Sequence, residues 1–133
     1  MVALRRLIFA ALSLCMLSGC MLMSGEATSV DMQVGSGNLL TTFVSAEGSS
    51  ERELPVGPPE TVVHVIAITT IESGDLTVAF MQPDGAVAFA VEARPDSQVT
   101  RSGSVRTDTS GKLHYTVSAR GARNGSFQFF VQP

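Results

Sequence analysis

A side-chain period of two recurs along the C-terminal two-thirds of this 133-residue chain. Leu76/Val78/Phe80, Val87/Phe89/Val91, Leu113/Tyr115/Val117 and Phe127/Phe129/Val131 each alternate with smaller or more polar residues. Successive side chains of a strand point to opposite faces, so this spacing predicts strands with one face in a core and leaves no room for an amphipathic helix.

The segment Thr61 to Ile71 is apolar on both faces and rich in β-branched residues, which predicts a central strand covered on two sides. Gln82-Pro83-Asp84-Gly85 and Asp108-Thr109-Ser110-Gly111 read as tight turns, and Asn124-Gly125 reads as a hairpin between the last two strands. With Leu39 to Val44 and Gln98 to Thr107 added, the pattern gives about seven strands with short connections. The fold class is therefore all-β, a single β-sandwich of jelly-roll-like or Ig-like type.

A different signal occupies the N-terminus. Arg5 and Arg6 are followed by an uncharged apolar run, Leu7 to Leu17, and then by the small residues Ser18 and Gly19 before Cys20. Leu17-Ser18-Gly19-Cys20 resembles the lipobox of bacterial lipoproteins at every position. The resemblance implies recognition of Leu17, Ser18 and Gly19 by the signal peptidase, cleavage after Gly19, and a diacylglyceryl group on the Cys20 thiol, with an N-acyl chain as a further modification. Cys15 follows the bulky Leu14 and would leave with the signal. Acyl burial gains about 0.8 kcal/mol per CH₂, so two or more chains hold a protein at a bilayer. An uncleaved helix through Met23 is the weaker alternative. It would be near the lower limit of roughly 17 residues for a span and would carry Ser13, Ser18 and Gly19.

The expected organisation is a signal over 1–19, a lipidated N-terminus and flexible Ser/Gly/Thr-rich tether over 20–38, and the sandwich over 39–133. The location implied is extracytoplasmic, on the cell membrane or, where the host has one, the outer membrane, since Met21 is not the Asp that retains family members at the inner membrane. With Cys15 removed and Cys20 acylated, the mature chain has no disulfide.

From Thr61 to Val131 the strand rhythm, with "LTVAF" running into "PDG", then "GKLHYTVSA" and "GSFQFFV", resembles extracellular bacterial β-sandwich modules such as pre-peptidase C-terminal domains. That resemblance implies fold class alone.

Enzyme signatures are absent: the sequence contains no G-x-S-x-G, H-E-x-x-H, G-x-x-x-x-G-K-[ST] or G-x-G-x-x-G. His64 and His114 fall in separate predicted strands, and a metal site would need both to converge with a carboxylate. A hydrolase would need a pocket holding His64 or His114 beside a carboxylate and is excluded by histidines on opposed faces. Asp75, Asp84, Asp96 and Asp108 sit at turns, where Asp bonds its own backbone more often than it binds calcium. No catalytic residue, metal ligand or cofactor is assigned, and no enzymatic activity is expected. There is no Trp and one Tyr, so the aromatic platform common in sugar sites is not visible.

Charge is segregated along the chain. Residues 20–92 carry ten acidic side chains and only Arg52, while Arg94, Arg101, Arg106, Lys112, Arg120 and Arg123 face only Asp96 and Asp108 thereafter. Arg120 and Arg123, at the expected last hairpin tip, form a candidate patch for an anionic envelope polymer or lipid head groups. Interleaving of strands from both halves would instead mix the charges. An acidic, secreted chain has little to attract nucleic acid. The function expected is a lipid-anchored envelope module that binds a ligand, with a structural subunit pairing through a sheet edge as the alternative and a cryptic hydrolase third.

Overall fold

The computed structural model describes residues 21–133; Leu17, Ser18, Gly19, Cys20 and the rest of the expected signal lie outside the described residues. Eight strands run in chain order as β1 (Leu22–Ser24), β2 (Ala27–Gln33), β3 (Ser36–Pro55), β4 (Val62–Thr70), β5 (Ser73–Met81), β6 (Val87–Glu92), β7 (Val99–Arg106) and β8 (Lys112–Gln132). The described residues contain no helix, and the all-β expectation holds.

Two strands organise the rest. β3 has 20 residues and β8 has 21, well beyond the usual 3–10 of a globular strand. Each bends in the middle and serves both layers of a sandwich. In the first layer the order is β2-β3-β8-β4-β7, with Leu39 opposite Phe129 and Phe129 opposite Ala67. In the second it is β1-β3-β8-β5-β6, with Leu54 opposite Leu113 and Val117 opposite Val78. The backbone N–H of Gly35 donates to Val56 O at 3.0 Å, so the two ends of β3 meet again at the end of the molecule away from the bend.

The bend is built from bulges. The β3–β8 register shifts between Ala46 and Gly48, and the β5–β8 register shifts between Ser73 and Asp75. Gly121 takes φ +57 and Asn124 takes φ 46, two left-handed positions that turn β8 without ending it. The Asn124-Gly125 hairpin expected from sequence is therefore corrected: the dipeptide does supply positive φ, but Ser126 continues the ladder with Thr42 and Thr70. Gly125 is buried so closely that a Cβ there would strike the Phe43 ring and Thr70 O.

The expected tether is also corrected. Ala27 to Gln33 pair residue by residue with β3, from Ala27–Thr42 to Gln33–Ser36. An edge strand with one neighbour keeps most of its side chains exposed, so it shows no alternation in sequence and looks like a linker. Nor is Thr61 to Ile71 covered on both faces. Val63, Val65, Ala67 and Thr69 are buried, while His64 is exposed and Ile66 and Ile68 are only half-buried on the outside.

Most of the alternating residues singled out above fill the space between layers. Val87 is the exception, exposed where the β5–β6 register shifts, while Phe89 is half-buried and Val91 buried. Leu76, Val78, Phe80, Leu113, Tyr115, Val117, Phe127, Phe129 and Val131 are all buried. Phe80 is the hub: it stacks on Phe89 at 4.8 Å between centroids and meets Phe129 edge-on at 4.7 Å, with Tyr115 edge-on to Phe129 at 5.0 Å. Such pairs add about 0.5–1.5 kcal/mol each beyond the area they bury.

Candidate functional site

At the end of the second layer remote from the bend, outward-facing residues of three strands form a row. Glu53 on β3 lies opposite His114 on β8, which lies opposite Met81 on β5. The next row towards the bend is Glu51, Thr116 and Ala79, and the third is Ser49, Ser118 and Thr77. The β5–β6 turn rises beside these rows, with Gly85 N donating to Gln82 O at 2.9 Å and Ala86 N to Asp84 Oδ1 at 2.9 Å, which is the turn chemistry expected there. Together they enclose an open cleft of about 580 Å³ lined by Glu51, Glu53, Met81, Gln82, Asp108 and His114.

One wall of the cleft is rigid. In the Asp108–Gly111 turn, Asp108 Oδ1 accepts Ser110 N at 2.7 Å and Lys112 N at 3.0 Å, and Asp108 Oδ2 meets His114 Nε2 at 2.6 Å. The Lys112 backbone N–H, then the His114 side chain, hold the Asp108 carboxyl down to about 2 from an ordinary 3.8. His114 Nδ1 lies 3.8 Å from Glu53 Oε1, and Lys112 Nζ lies 3.3 Å from Glu53 Oε2. Beyond the turn, Thr107 Oγ1 accepts Thr61 N at 2.9 Å and donates to Pro58 O at 2.7 Å, pinning the neighbouring loop. Gln82 Oε1 accepts Arg106 N at 2.9 Å, which ties the β5 end to β7.

These contacts define what the cleft can do. Asp108 is saturated by donors and acts as a brace for the turn and for the His114 ring. Glu51 stands exposed, and Glu53 and Thr116 present hydrogen-bonding groups beside the thioether of Met81. The outward face is predominantly acidic, with Glu47, Glu51, Glu53 and Asp75 against Lys112 and Arg120. It carries no aromatic ring among the described residues, since Tyr115 points inward at 4 % exposure.

The two histidines do not converge. His64 faces out from the first layer, opposite Ser104 and Gln132, and His114 faces out from the second. Among the described residues no group of three His, Cys, Asp or Glu side chains is placed to hold a metal ion.

Arg120 and Arg123 sit at the β8 bend and not at a hairpin tip. Arg120 is the register partner of Asp75, Gly121 N donates to Glu47 Oε2, and Asn124 Nδ2 donates to Glu72 Oε2. The acidic and basic halves of the sequence are thus interleaved here, because β3 and β5 both flank β8. Asn124, within the Asn124-Gly125-Ser126 triplet, is exposed at the same bend.

The sequence marks Gln82 only as part of a turn and gives Glu51 and Glu53 no place in a site. A signal existed: Glu47, Ser49, Glu51 and Glu53 repeat a polar residue at every second position. Their intervening partners Gly48, Ser50 and Arg52 are not apolar, so the pattern did not register as a strand.

No family model and no curated protein matches this chain. Among solved structures it is similar to the carbohydrate-binding module CBM6cm-2 from Cellvibrio mixtus lichenase 5A, at 13% identity and a TM-score of 0.42 over 84% of this chain and 89% of that one. It is similar to the CBM22-1 xylan-binding domain of Paenibacillus barcinonensis Xyn10C, at 17% identity and a TM-score of 0.42 over 84% of each chain. A subunit of the Bacillus endospore appendage pili matches at 12% identity and a TM-score of 0.48, covering 84% of this chain and 92% of that one. The sandwich described above stands on its own strand pairing, and likeness of this degree identifies no ligand.

Proposed function

We propose that the mature protein is a non-catalytic binding module of the bacterial cell envelope, anchored by acyl chains on Cys20 and holding a hydroxyl-rich ligand of the glycan class in the cleft of the second layer. The observation that carries the reading is the cleft itself: exposed Glu51 stands in register with half-buried Thr116, and exposed Glu53 with His114, which is held by Asp108 and lies opposite Met81. Carboxylates and hydroxyls on a strand surface accept and donate to vicinal hydroxyls without reorganisation, which preserves affinity. With no ring available for stacking, recognition rests on hydrogen bonds, and weak binding is expected. His114 does lie beside the carboxylates of Asp108 and Glu53 in this cleft, the neighbourhood a hydrolase would need. Asp108, however, is taken up by Ser110 N, Lys112 N and the imidazole as a brace for the turn, and His64 stands on the opposite outer face, which supports binding over hydrolysis.

Two measurements test this. Intact mass of the membrane fraction from wild-type and Cys20→Ser cells reads the anchor: loss of Met1 to Gly19 with added acyl mass in the wild type alone supports it, and a full-length unacylated wild type overturns it. Titration of the purified protein with envelope polysaccharide fragments reads the cleft: saturable binding that Glu51→Gln with Thr116→Val abolishes supports it. Binding that survives those changes but fails in Arg120→Glu with Arg123→Glu moves the ligand to the β8 bend and makes it anionic.

A further inference from the structure

The large exposed hydrophobic side chains are unevenly placed. Of the six among the described residues, Leu22 (73 % exposed), Val30 (52 %), Val34 (85 %) and Val44 (55 %) belong to the first 24 described positions, along β1, β2, the turn into β3 and the β3 bend. β1 and β2 both pair with β3, β1 in the second layer and β2 in the first. The N-terminal segment therefore forms one continuous side of the sandwich, and this side presents apolar residues from both layers.

The same segment is held firmly. Met21, Met23 and Met32 pack against the core, and Ser50 Oγ donates to Met21 Sδ at 3.5 Å. Arg52 Nη1 donates to Glu26 Oε1 at 2.7 Å, and the Arg52 guanidinium lies 6.0 Å from the Phe127 ring centre. With Glu26 so paired, Asp31 is the only other charged residue in 21–44. Apart from Glu47, which lies opposite Leu22, this side is poor in charge and is suited to an apolar or interfacial occupant.

We propose that this β1–β2 side is the membrane-facing surface of the protein, lying directly on the lipid head groups with Leu22, Val30, Val34 and Val44 turned to the interface. The inference rests on the reading of Cys20 as the acylated residue, because Met21 alone separates Cys20 from Leu22. One residue spans about 3.5 Å at most, so an anchored domain that begins at Met21 has no spacer with which to stand off the bilayer. The free edge of β2 stays at head-group depth, where water still satisfies its backbone. Glu47 is the register partner of Leu22 and lies with it at the rim of this side, whereas Glu51 and Glu53 lie farther along β3 on the outer face of the second layer, where the cleft stays open to solvent.

The test uses the full acylated protein in phosphatidylethanolamine–phosphatidylglycerol vesicles, with a nitroxide on Leu22→Cys, Val34→Cys or, at the opposite edge on β6, Val87→Cys. Val87 is 58 % exposed and serves as the comparison. Labels at Leu22 and Val34 are expected to lose collisions with a water-soluble nickel chelate and gain collisions with oxygen, while the Val87 label keeps its solvent accessibility. If the intact mass shows acyl chains and all three labels stay accessible, the domain stands off the membrane and the proposal fails while the anchor survives. Shielding at Val34 that comes with spin–spin broadening and disappears on dilution with unlabelled protein assigns the side to a second copy and overturns the proposal. An unacylated mass overturns it together with the reading on which it rests.

Discussion

Gly74 and Gly121 lie backbone against backbone where β5 meets the bend in β8, and a Cβ placed on Gly74 would fall on the Gly121 carbonyl. Gly74 takes φ +86 and Gly121 φ +57, so this crossing needs both the missing side chain and the left-handed backbone. It is the point at which one strand leaves the second layer for the first. Replacement by Gly74→Ala forces strand backbones apart and is expected to destabilise the protein by about 2–3 kcal/mol. Thermal unfolding of the detergent-purified protein should show a midpoint roughly 10 °C lower, and an unchanged midpoint would refute the tight crossing.

The Asp108–His114 contact gives a pH dependence with a definite sign. The folded carboxyl of Asp108 titrates at about 2 against an ordinary 3.8, so its contribution to stability is complete above the ordinary value and is lost as pH falls towards 2. Asp108→Asn removes that titration. Thermal midpoints followed from pH 5 to pH 2 should fall more steeply for the wild type than for the variant, and parallel curves would show that the turn does not depend on the charged carboxylate.

Arg52 points into the open side between the layers, bonding Glu26 and Ser50 and lying over Phe127. Its removal frees the N-terminal strand first. For Arg52→Ala the expected cost is about 1 kcal/mol, concentrated at Met21 to Glu26. Hydrogen exchange should speed up in that segment and remain unchanged in the β3–β8 ladder.

Phe80 has no exposed surface and touches Phe89, Tyr115 and Phe129. Truncation by Phe80→Ala leaves a cavity at the centre of the aromatic cluster and is expected to destabilise by about 3–5 kcal/mol, whereas Phe80→Leu should lose less. Denaturant midpoints for the two variants decide the ranking, and equal midpoints would mean the cluster collapses around the gap.

Local chemistry made part of the molecule legible from residue order alone. Leu113, Tyr115 and Val117 could be read as one inward face because the pleat alternates side chains whatever the strand pairs with, and the Asp84-Gly85 and Asp108-Gly111 turns followed from side-chain oxygens that reach their own backbone. Asn124-Gly125 shows where such reading stops. A left-handed residue permits a turn and a bend equally, and the choice fell to β3 and β5, which supply partners on both sides of β8 through the bend. Residues 24–38 show the same limit from the other direction, since an edge strand draws its order from a neighbour and needs no apolar alternation of its own. The cleft belongs wholly to the tertiary structure: Glu53, His114 and Met81 are distant in sequence, and only the registers of β3, β8 and β5 set them in a row. The sequence alone determined which side chains turn inward, because pleat and turn chemistry act over a few residues. Which strands lie side by side was decided by the folding of two long strands across both layers, because pairing depends on backbone partners that no local stretch contains.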